Sequence, residues 1–450
     1  MSSAARLGQE FGEHVQKVTY ELLVGGAPNS LSEMERRVRK ALLQIGQFLL
    51  GAWLALQEGP YSAQTVECRC GGSAEYQFKR EGVLLTLLGS IRYKRAYYVC
   101  PTCHVGTYPL DERLGLRPGE LSAELESLVG LTGAQTPFEK GSELFERLTL
   151  VGISPQSMDK ATQTMGQEAM QVEAEWVAQS QDPAAIDTQM RAGSGAEHLY
   201  GALDATKVHT DEKRSADDNG WRDLKVGAWF VTEAKPPQNP DDAWGIEARD
   251  ITYFCDICEA QKFGPLLWAT GFQRQALQAQ QIIFLGDGAD WIWNLVQENF
   301  PHAVQIVDWF HAAEYLTPVA QTAFTNEHET KAWHTHAREL LWTSRVDEVI
   351  AECASFVEQK RGAEAAQKAL TYFRNNRQRM DYAAYRAKGY HIGSGTIESG
   401  CKQIGTQRMK VPGATWSLEG ARRTAKARAA MLSGQWDLLA SRREHLPQAA

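Results

Sequence analysis

Long apolar runs are missing from this sequence: none approaches the roughly 20 residues that a helix needs to cross a bilayer. The first ten residues lack an apolar core behind a basic start, so they do not form a secretory signal. Eight cysteines in 450 residues are too few for a disulfide scaffold and favour metal sites or free thiols. These absences predict a cytoplasmic protein without a membrane partner.

An overall positive charge is also missing, because the net charge is −8. The charge is unevenly distributed, however: residues 105–200 carry 15 acidic and 6 basic side chains, whereas residues 374–428 carry 12 basic and 3 acidic ones. A phosphate backbone responds to a local basic stretch rather than to the global sum. The candidate DNA contacts are Arg374, Arg377, Arg379, Lys402, Arg408, Lys410, Arg422 and Arg423. The alternative is a solvated helix surface.

The sequence pattern of the N-terminal part predicts a helical region at residues 1–60 and a zinc-ribbon-like module at residues 61–118. Two close pairs of cysteines, separated by 30 residues, define this module: Cys68, Cys70, Cys100 and Cys103. Four thiolates on two tight turns can close a tetrahedron around Zn²⁺, and the segment between the pairs can form a hairpin. The first pair is C-x-C rather than C-x-x-C. Unrelated buried thiols are the alternative.

Residues 119–196 predict a helical, helix-turn-helix-like region. A helix near Pro137 to Leu148 is followed by a glycine-containing turn and then by a second helix with Pro155 at its start. Gln156 and Lys160 are among the residues that such a motif would turn toward a DNA groove. Because the region is acidic and many helical hairpins share this pattern, DNA reading and plain helix packing stay open.

From residue 197 the pattern changes to strands. The pattern of residues 197–314 predicts an α/β domain that starts with three antiparallel strands. Residues 315–388 are predicted to be helical. Residues 389–450 are predicted to contain a glycine-rich loop, a helix and a basic tail. Asp204 lies within the first strand, Asp287 ends a later strand, and Glu398 falls in the first turn of the late helix. Carboxyl ends of strands are where α/β sheets bind ligands.

An aspartate in an apolar strand is costly unless something binds it. Asp204, Asp287 and Glu398, 83 and 111 residues apart, can together hold two Mg²⁺ ions, with Mn²⁺ as a substitute. Such a pair activates a water or a 3′-hydroxyl for attack on phosphorus. The alternative is that each acid caps a helix or turns a loop.

Four segments resemble those of bacterial insertion-sequence transposases of the ISKra type, which are relatives of the Mutator-like DDE transposases. They are Gly201–Thr206, Gly286–Trp293, Asp308–His311 and Gly393–Ser399. The resemblance implies an RNase H-like α/β core, at 197–314 and 389–450, interrupted by a helical insertion at 315–388. It also implies that the triad Asp204, Asp287 and Glu398 binds the metal. Asp308 and His311 match a C/D-x-x-H signature, with Asp rather than Cys at the first position. We interpret the pair as supporting the metal ligands or positioning DNA, and a structural histidine at a strand end is the alternative.

The resemblance therefore predicts a DNA transposase that binds the ends of its element, cleaves them and joins them to target DNA. Its partner is double-stranded DNA, and synapsis of two ends leads us to expect a homo-oligomer. Action at the bacterial nucleoid follows from such a role. Two alternatives stay open: another RNase H-like nuclease such as a resolvase, and a transposase-derived DNA-binding protein without catalytic activity.

Overall fold

The computed structural model describes residues 3–57, 64–193, 195–213, 218–235 and 245–444. It is a mixed α/β structure that divides into two units, residues 1–168 with 435–450, and residues 169–434. The helices in the described ranges are all too short or too polar to span a bilayer.

Two sheets are formed by strands β1 (Thr65–Glu67), β2 (Ser73–Thr86), β3 (Gly89–Val99), β4 (Gly106–Thr107), β5 (His198–His209), β6 (Trp221–Lys235), β7 (Gly245–Asp256), β8 (Gln281–Gly286) and β9 (Val304–Val307). The first sheet is antiparallel with the order β1-β2-β3-β4. The second has the order β7-β6-β5-β8-β9. In it, β6 runs antiparallel to both β5 and β7, whereas β8 runs parallel to both β5 and β9.

The helices are α1 (Ser3–Val24), α2 (Leu31–Gln57), α3 (Pro109–Leu114), α4 (Ala123–Gln135), α5 (Phe138–Thr149), α6 (Pro155–Ser180), α7 (Pro183–Arg191), α8 (Ala260–Gln273), α9 (Asp290–Asn299), α10 (Trp309–Glu314), α11 (Leu316–Ala323), α12 (Glu327–Trp342), α13 (Val346–Glu358), α14 (Ala363–Asn376), α15 (Tyr382–Ala387), α16 (Gly395–Cys401), α17 (Gln407–Met409), α18 (Leu418–Leu432) and α19 (Trp436–Glu444). A π-helical turn, Lys402–Thr406, joins α16 to α17. Short 3₁₀ turns lie at Ala276–Gln278 and Arg377–Arg379.

In the first unit, the long β2–β3 hairpin lies between the two cysteine pairs, as predicted. Leu84 on β2 and Ile91 on β3 form a small core with Leu54 of α2. A second core brings Leu125 of α4 and Phe145 of α5 together. Alternating exposed and buried residues on β3 explain why one face of the hairpin packs on helices and the other faces solvent.

In the second unit, the three antiparallel strands predicted from the sequence are β5, β6 and β7. Aromatic side chains form part of the core around these strands: the ring of Tyr200 stacks on that of Phe230 at 5.3 Å, and Trp229 meets Phe284 edge-on at 5.2 Å. The strand β7 is longer than the sequence pattern predicted, because its first half is polar and exposed. The stretch from α11 to α15 is helical, as predicted.

Candidate functional site

Asp204 and Asp287 lie at corresponding positions on neighbouring strands. The parallel register pairs Ala202 of β5 with Leu285 of β8. Two residues further along each chain are Asp204 and Asp287, which therefore share one face at the carboxyl end of β8. Hydrogen-bonded strands are about 4.8 Å apart, so this topology brings the two carboxylates close together. Both side chains are half-buried.

Glu398 reaches the same place from α16. That helix packs against β5 and β6, and Gly400 lies so close to β7 that an added Cβ would stand 2.6 Å from the Tyr253 ring. Glu398 itself is exposed, and the hydroxyl of Ser394 donates a hydrogen bond of 2.9 Å to its Oε1 atom. Ser394 is the N-cap residue of α16, but its hydroxyl bonds the Glu398 carboxylate rather than a backbone N–H.

The electrostatics of Asp204 reflect this crowding of acids. Burial raises the pKa of its carboxyl, and the negative charges of Asp287 and Glu398 raise it further. Hydrogen bonds from the backbone N–H of Ala205, at 2.6 Å, and from the Cys401 thiol act in the opposite direction. A cation near these carboxylates would reduce the repulsion between them.

Asp308 is fully buried at the end of β9 and connects the parts of this site. Its Oδ1 atom accepts the backbone N–H of His311 at 2.8 Å, and its Oδ2 atom accepts the backbone N–H of Ser394. Its own N–H donates to the carbonyl of Gly286, the residue before Asp287. Both carboxylate oxygens are thus used by backbone donors, so Asp308 supports the loop that precedes α16 rather than facing a metal.

His311 lies in the first turn of α10. Its ring is half-buried and meets the rings of Tyr315 and Tyr372 edge-on, at 5.8 and 6.3 Å. Its Nδ1 atom is 3.7 Å from a carboxylate oxygen of Glu314. The imidazole therefore packs against Tyr372, whose phenol bonds the backbone carbonyl of Asp287.

Three side chains near the cluster were not singled out from the sequence. Tyr372 and Asn376 of α14 hydrogen-bond the backbone of the Asp287 turn, and the thiol of Cys401 bonds Asp204. No local pattern signals these contacts, because the partners are separated by 85, 88 and 197 positions in the sequence.

The eight basic candidates for DNA contact have different surroundings. Arg374, Lys402 and Lys410 are exposed, and Lys410 donates a 3.0 Å hydrogen bond to Thr206, on the same face of β5 as Asp204. Surface ion pairs engage Arg377 with Asp347 and Arg423 with Glu419, and Arg422 forms a bidentate pair with Asp256. Arg379 bonds Gln305 and lies over the Trp293 ring.

Arg408 is 2% exposed, and its guanidinium lies 5.2 Å from the centre of the Trp416 ring. A guanidinium enclosed in this way has no access to a phosphate backbone. The prediction that Arg408 contacts DNA is therefore wrong. Arg408 lies on α17, directly after the π-helical turn, and its side chain packs beside the Trp416 ring. The sequence could not distinguish it from Lys410, two residues away.

The four predicted cysteines meet at one point. Cys68 and Cys70 lie on the turn between β1 and β2, and Cys100 and Cys103 lie on the turn between β3 and β4. Their sulfur atoms all lie within 4.8 Å of one another, with 3.5 Å from Cys68 to Cys103 and 3.7 Å from Cys70 to Cys100. Tetrahedral zinc with Zn–S bonds of about 2.3 Å requires sulfurs about 3.8 Å apart. The cluster can therefore bind a metal such as zinc.

The turn geometry also favours a thiolate. The backbone N–H groups of Cys103 and Thr102 point at the sulfur of Cys100 and lower its pKa to about 6. Within the described residues, the four cysteines are the group of three or more His, Cys, Asp or Glu side chains that could hold a metal ion. The structure does not bring Asp204, Asp287 and Glu398 together as such a group.

Comparisons with known proteins give little further information. No family model matches the chain, and no curated protein matches it. Among solved structures, the chain is similar to the Drosophila P element transposase strand transfer complex, with 9% sequence identity, 74% of this chain and 83% of that chain covered, and a TM-score of 0.23. A likeness of this size carries no weight for the fold or the function.

Proposed function

We propose that this chain is a DDE-type DNA transposase that binds the ends of an insertion sequence, cleaves them and joins them to target DNA. The observation that carries the proposal is the convergence of Asp204, Asp287 and Glu398 from β5, the end of β8 and the start of α16. The mixed sheet, followed by a helical stretch and then by the helix with Glu398, supports an RNase H-like core with a helical insertion.

The three carboxylates would hold Mg²⁺ in this core. Two such ions, roughly 3.5–4 Å apart, activate the attacking oxygen and stabilise the leaving one. Glu398 and the half-buried Asp204 and Asp287 face solvent, so a DNA strand has access to them. Asp308 and Ser394 would orient Glu398 through the hydrogen bonds described above.

The exposed side chains Arg374, Lys402 and Lys410 would contact the phosphate backbone near this centre. Lys410 is linked to this centre through Thr206, because it donates a hydrogen bond to Thr206, which is two residues from Asp204 on the same face of β5. The cysteine cluster and the α5–α6 pair would belong to the modules that recognise the element ends. Because two ends must be brought together, we expect a homo-oligomer that acts in the bacterial cytoplasm at the nucleoid.

The first test uses the full-length protein with duplex DNA that carries the two flanks of its own coding sequence. Footprinting identifies the bound ends, and gel assays in Mg²⁺ measure strand cleavage. We expect Asp204→Asn to bind the ends as the wild type does and to lose cleavage by at least about a thousandfold, since a metal ligand is lost. Asp223→Asn, which changes an exposed acid paired with Lys207, is the matched control and should cleave normally.

Full cleavage by Asp204→Asn would overturn the assignment of the triad. A second assay supplies ends that already carry free 3′-hydroxyls. A transposase joins them to target DNA, whereas a resolvase-like nuclease does not. Binding without metal-dependent cleavage in the wild type would instead support a non-catalytic DNA-binding protein.

A further inference from the structure

Two side chains of the helical insertion contact the turn that carries Asp287. Tyr372 and Asn376 lie one helical turn apart on α14, so they present neighbouring groups on one face of the helix. The phenol of Tyr372 donates a 2.8 Å hydrogen bond to the carbonyl of Asp287. The amide of Asn376 donates to the next carbonyl, that of Gly288, at 3.3 Å.

The fit between this helix and the turn is close. Gly288 has a φ of +101°, a conformation that side chains with a Cβ rarely adopt. A Cβ added there would stand 2.7 Å from the Tyr372 ring and 2.9 Å from the Asn376 amide nitrogen. Glycine therefore allows both the backbone conformation and the approach of α14, and the two hydrogen bonds use the space that the missing side chain leaves.

Both donors are themselves fixed. The ring of Tyr372 stacks on that of Tyr315 with centroids 3.8 Å apart and planes 9° from parallel. Asn376 is 3% exposed, and its side-chain oxygen accepts from Arg379 at 3.3 Å. Arg379 in turn donates to Gln305 of β9 at 2.8 Å. The hydrogen-bond donors thus hold their positions relative to the sheet.

The turn determines where the Asp287 carboxylate points. Its Oδ1 atom accepts the N–H of Ala289 at 2.9 Å, so the carboxylate direction follows the backbone of residues 287–289. Metal sites need ligands held within about 0.5 Å of their working position. Neither Tyr372 nor Asn376 reaches a carboxylate oxygen in these contacts, so any effect they have on metal binding passes through the turn.

We infer that Tyr372 and Asn376 are positioning residues that hold the Asp287 turn for metal binding, so that the helical insertion forms part of the catalytic centre. This inference rests on the proposed function. It assigns the insertion a role in the chemistry itself, separate from any contact that its surface makes with DNA.

Tyr372→Phe tests the inference because it removes one oxygen and keeps the stacked ring. Tyr385→Phe is the matched control: its phenol also donates to backbone carbonyls, those of Gln305 and Gln378, but contacts no part of the Asp287 turn. Asn376→Leu removes the second donor at similar volume. Mn²⁺ binding to the DNA-free protein is measured by electron paramagnetic resonance, and the Mg²⁺ concentration for half-maximal cleavage is measured separately.

We expect Tyr372→Phe to weaken Mn²⁺ binding and to raise the Mg²⁺ requirement by about tenfold or more, as for other residues that orient metal ligands. Asn376→Leu should do the same, while end binding without metal and cleavage at saturating Mg²⁺ change less. Tyr385→Phe should match the wild type. Metal titrations of Tyr372→Phe and Asn376→Leu that overlay the wild type would overturn the inference, as would an equal shift in Tyr385→Phe.

Asp204→Asn separates this result from a failure of the proposed function. If Asp204→Asn loses Mn²⁺ binding and cleavage while Tyr372→Phe and Asn376→Leu keep both, only the positioning role is wrong. If Asp204→Asn keeps both as well, the metal-binding triad is wrong and the inference is overturned with it.

Discussion

At the scale of single residues, Asp204 shows how a half-buried carboxylate near other acids costs stability. It is half-buried and faces two further acids, and these surroundings raise its pKa. In an acid whose folded-state pKa is raised, the protonated form is the favoured one. The stability that its proton contributes is present at low pH and is lost as the pH rises through the folded-state pKa. At neutral pH without metal, the ionised Asp204 therefore destabilises the fold.

We accordingly predict that Asp204→Asn is more stable than the wild type at neutral pH in the presence of a chelator. Asparagine keeps an oxygen for the Ala205 N–H and removes the repulsion. We expect a gain on the order of 0.5–2 kcal/mol, or about 1–8 °C in Tm, measured by calorimetry. The gain should shrink on acidification as Asp204 takes up its proton. Asp223→Asn should show no such gain, and a destabilised Asp204→Asn at neutral pH would contradict the argument.

At the scale of elements, the sequence predicted those features that depend on local patterns. The β2–β3 hairpin, the antiparallel strands β5 to β7 and the helical stretch after β9 follow from periodicity and turn residues. The spacing of the two cysteine pairs predicted that they form one cluster, and the four sulfur atoms do lie close together. The Asp287 turn was visible because Asp-Gly ends an apolar strand.

Contacts between distant elements could not be predicted in this way. Tyr372 lies in an ordinary amphipathic helix, and only the packing of α14 directs its phenol to Asp287. Arg408 and Lys410 belong to the same basic stretch, but one is buried and the other is exposed, because a short helical segment turns them to different sides. Burial of a basic side chain depends on its partners in three dimensions, such as the Trp416 ring beside Arg408.

The prediction at the scale of elements concerns zinc binding by the cysteine cluster. We expect one zinc ion per chain by atomic emission spectroscopy, and none in Cys100→Ser. Because structural zinc contributes folding free energy directly, its loss should lower the Tm of the first unit by about 10 °C or more. Cys258→Ser, a half-buried cysteine outside the cluster, is the control and should keep the ion. A zinc-free wild type of unchanged stability after exhaustive chelation would contradict a structural role.

At the scale of the whole molecule, an acidic protein is proposed to bind a polyanion, and the arrangement of its charges decides whether it can. Of the 12 basic side chains between residues 374 and 428, Arg408, Lys426 and Arg428 are buried. Lys426 is used internally, because its ammonium lies 3.3 Å from a carboxylate oxygen of Asp256 and also pairs with Glu173. The basic stretch thus serves partly as internal charge compensation, and only part of it can bind phosphate.

Exposed basic residues near the carboxylates should therefore dominate the salt dependence of DNA binding. The slope of log K against log salt concentration is negative, and each lost phosphate contact lowers its magnitude by about 0.9. We expect this decrease in each of Arg374→Gln, Lys402→Gln and Lys410→Gln, measured by fluorescence anisotropy on element ends and on an unrelated duplex alike, since phosphate contacts do not read sequence. Lys368→Gln, an exposed lysine paired with Glu364 at 2.9 Å, should leave the slope unchanged. Unchanged slopes in all three variants would mean that DNA contacts this protein through another surface, such as the modules that precede residue 197.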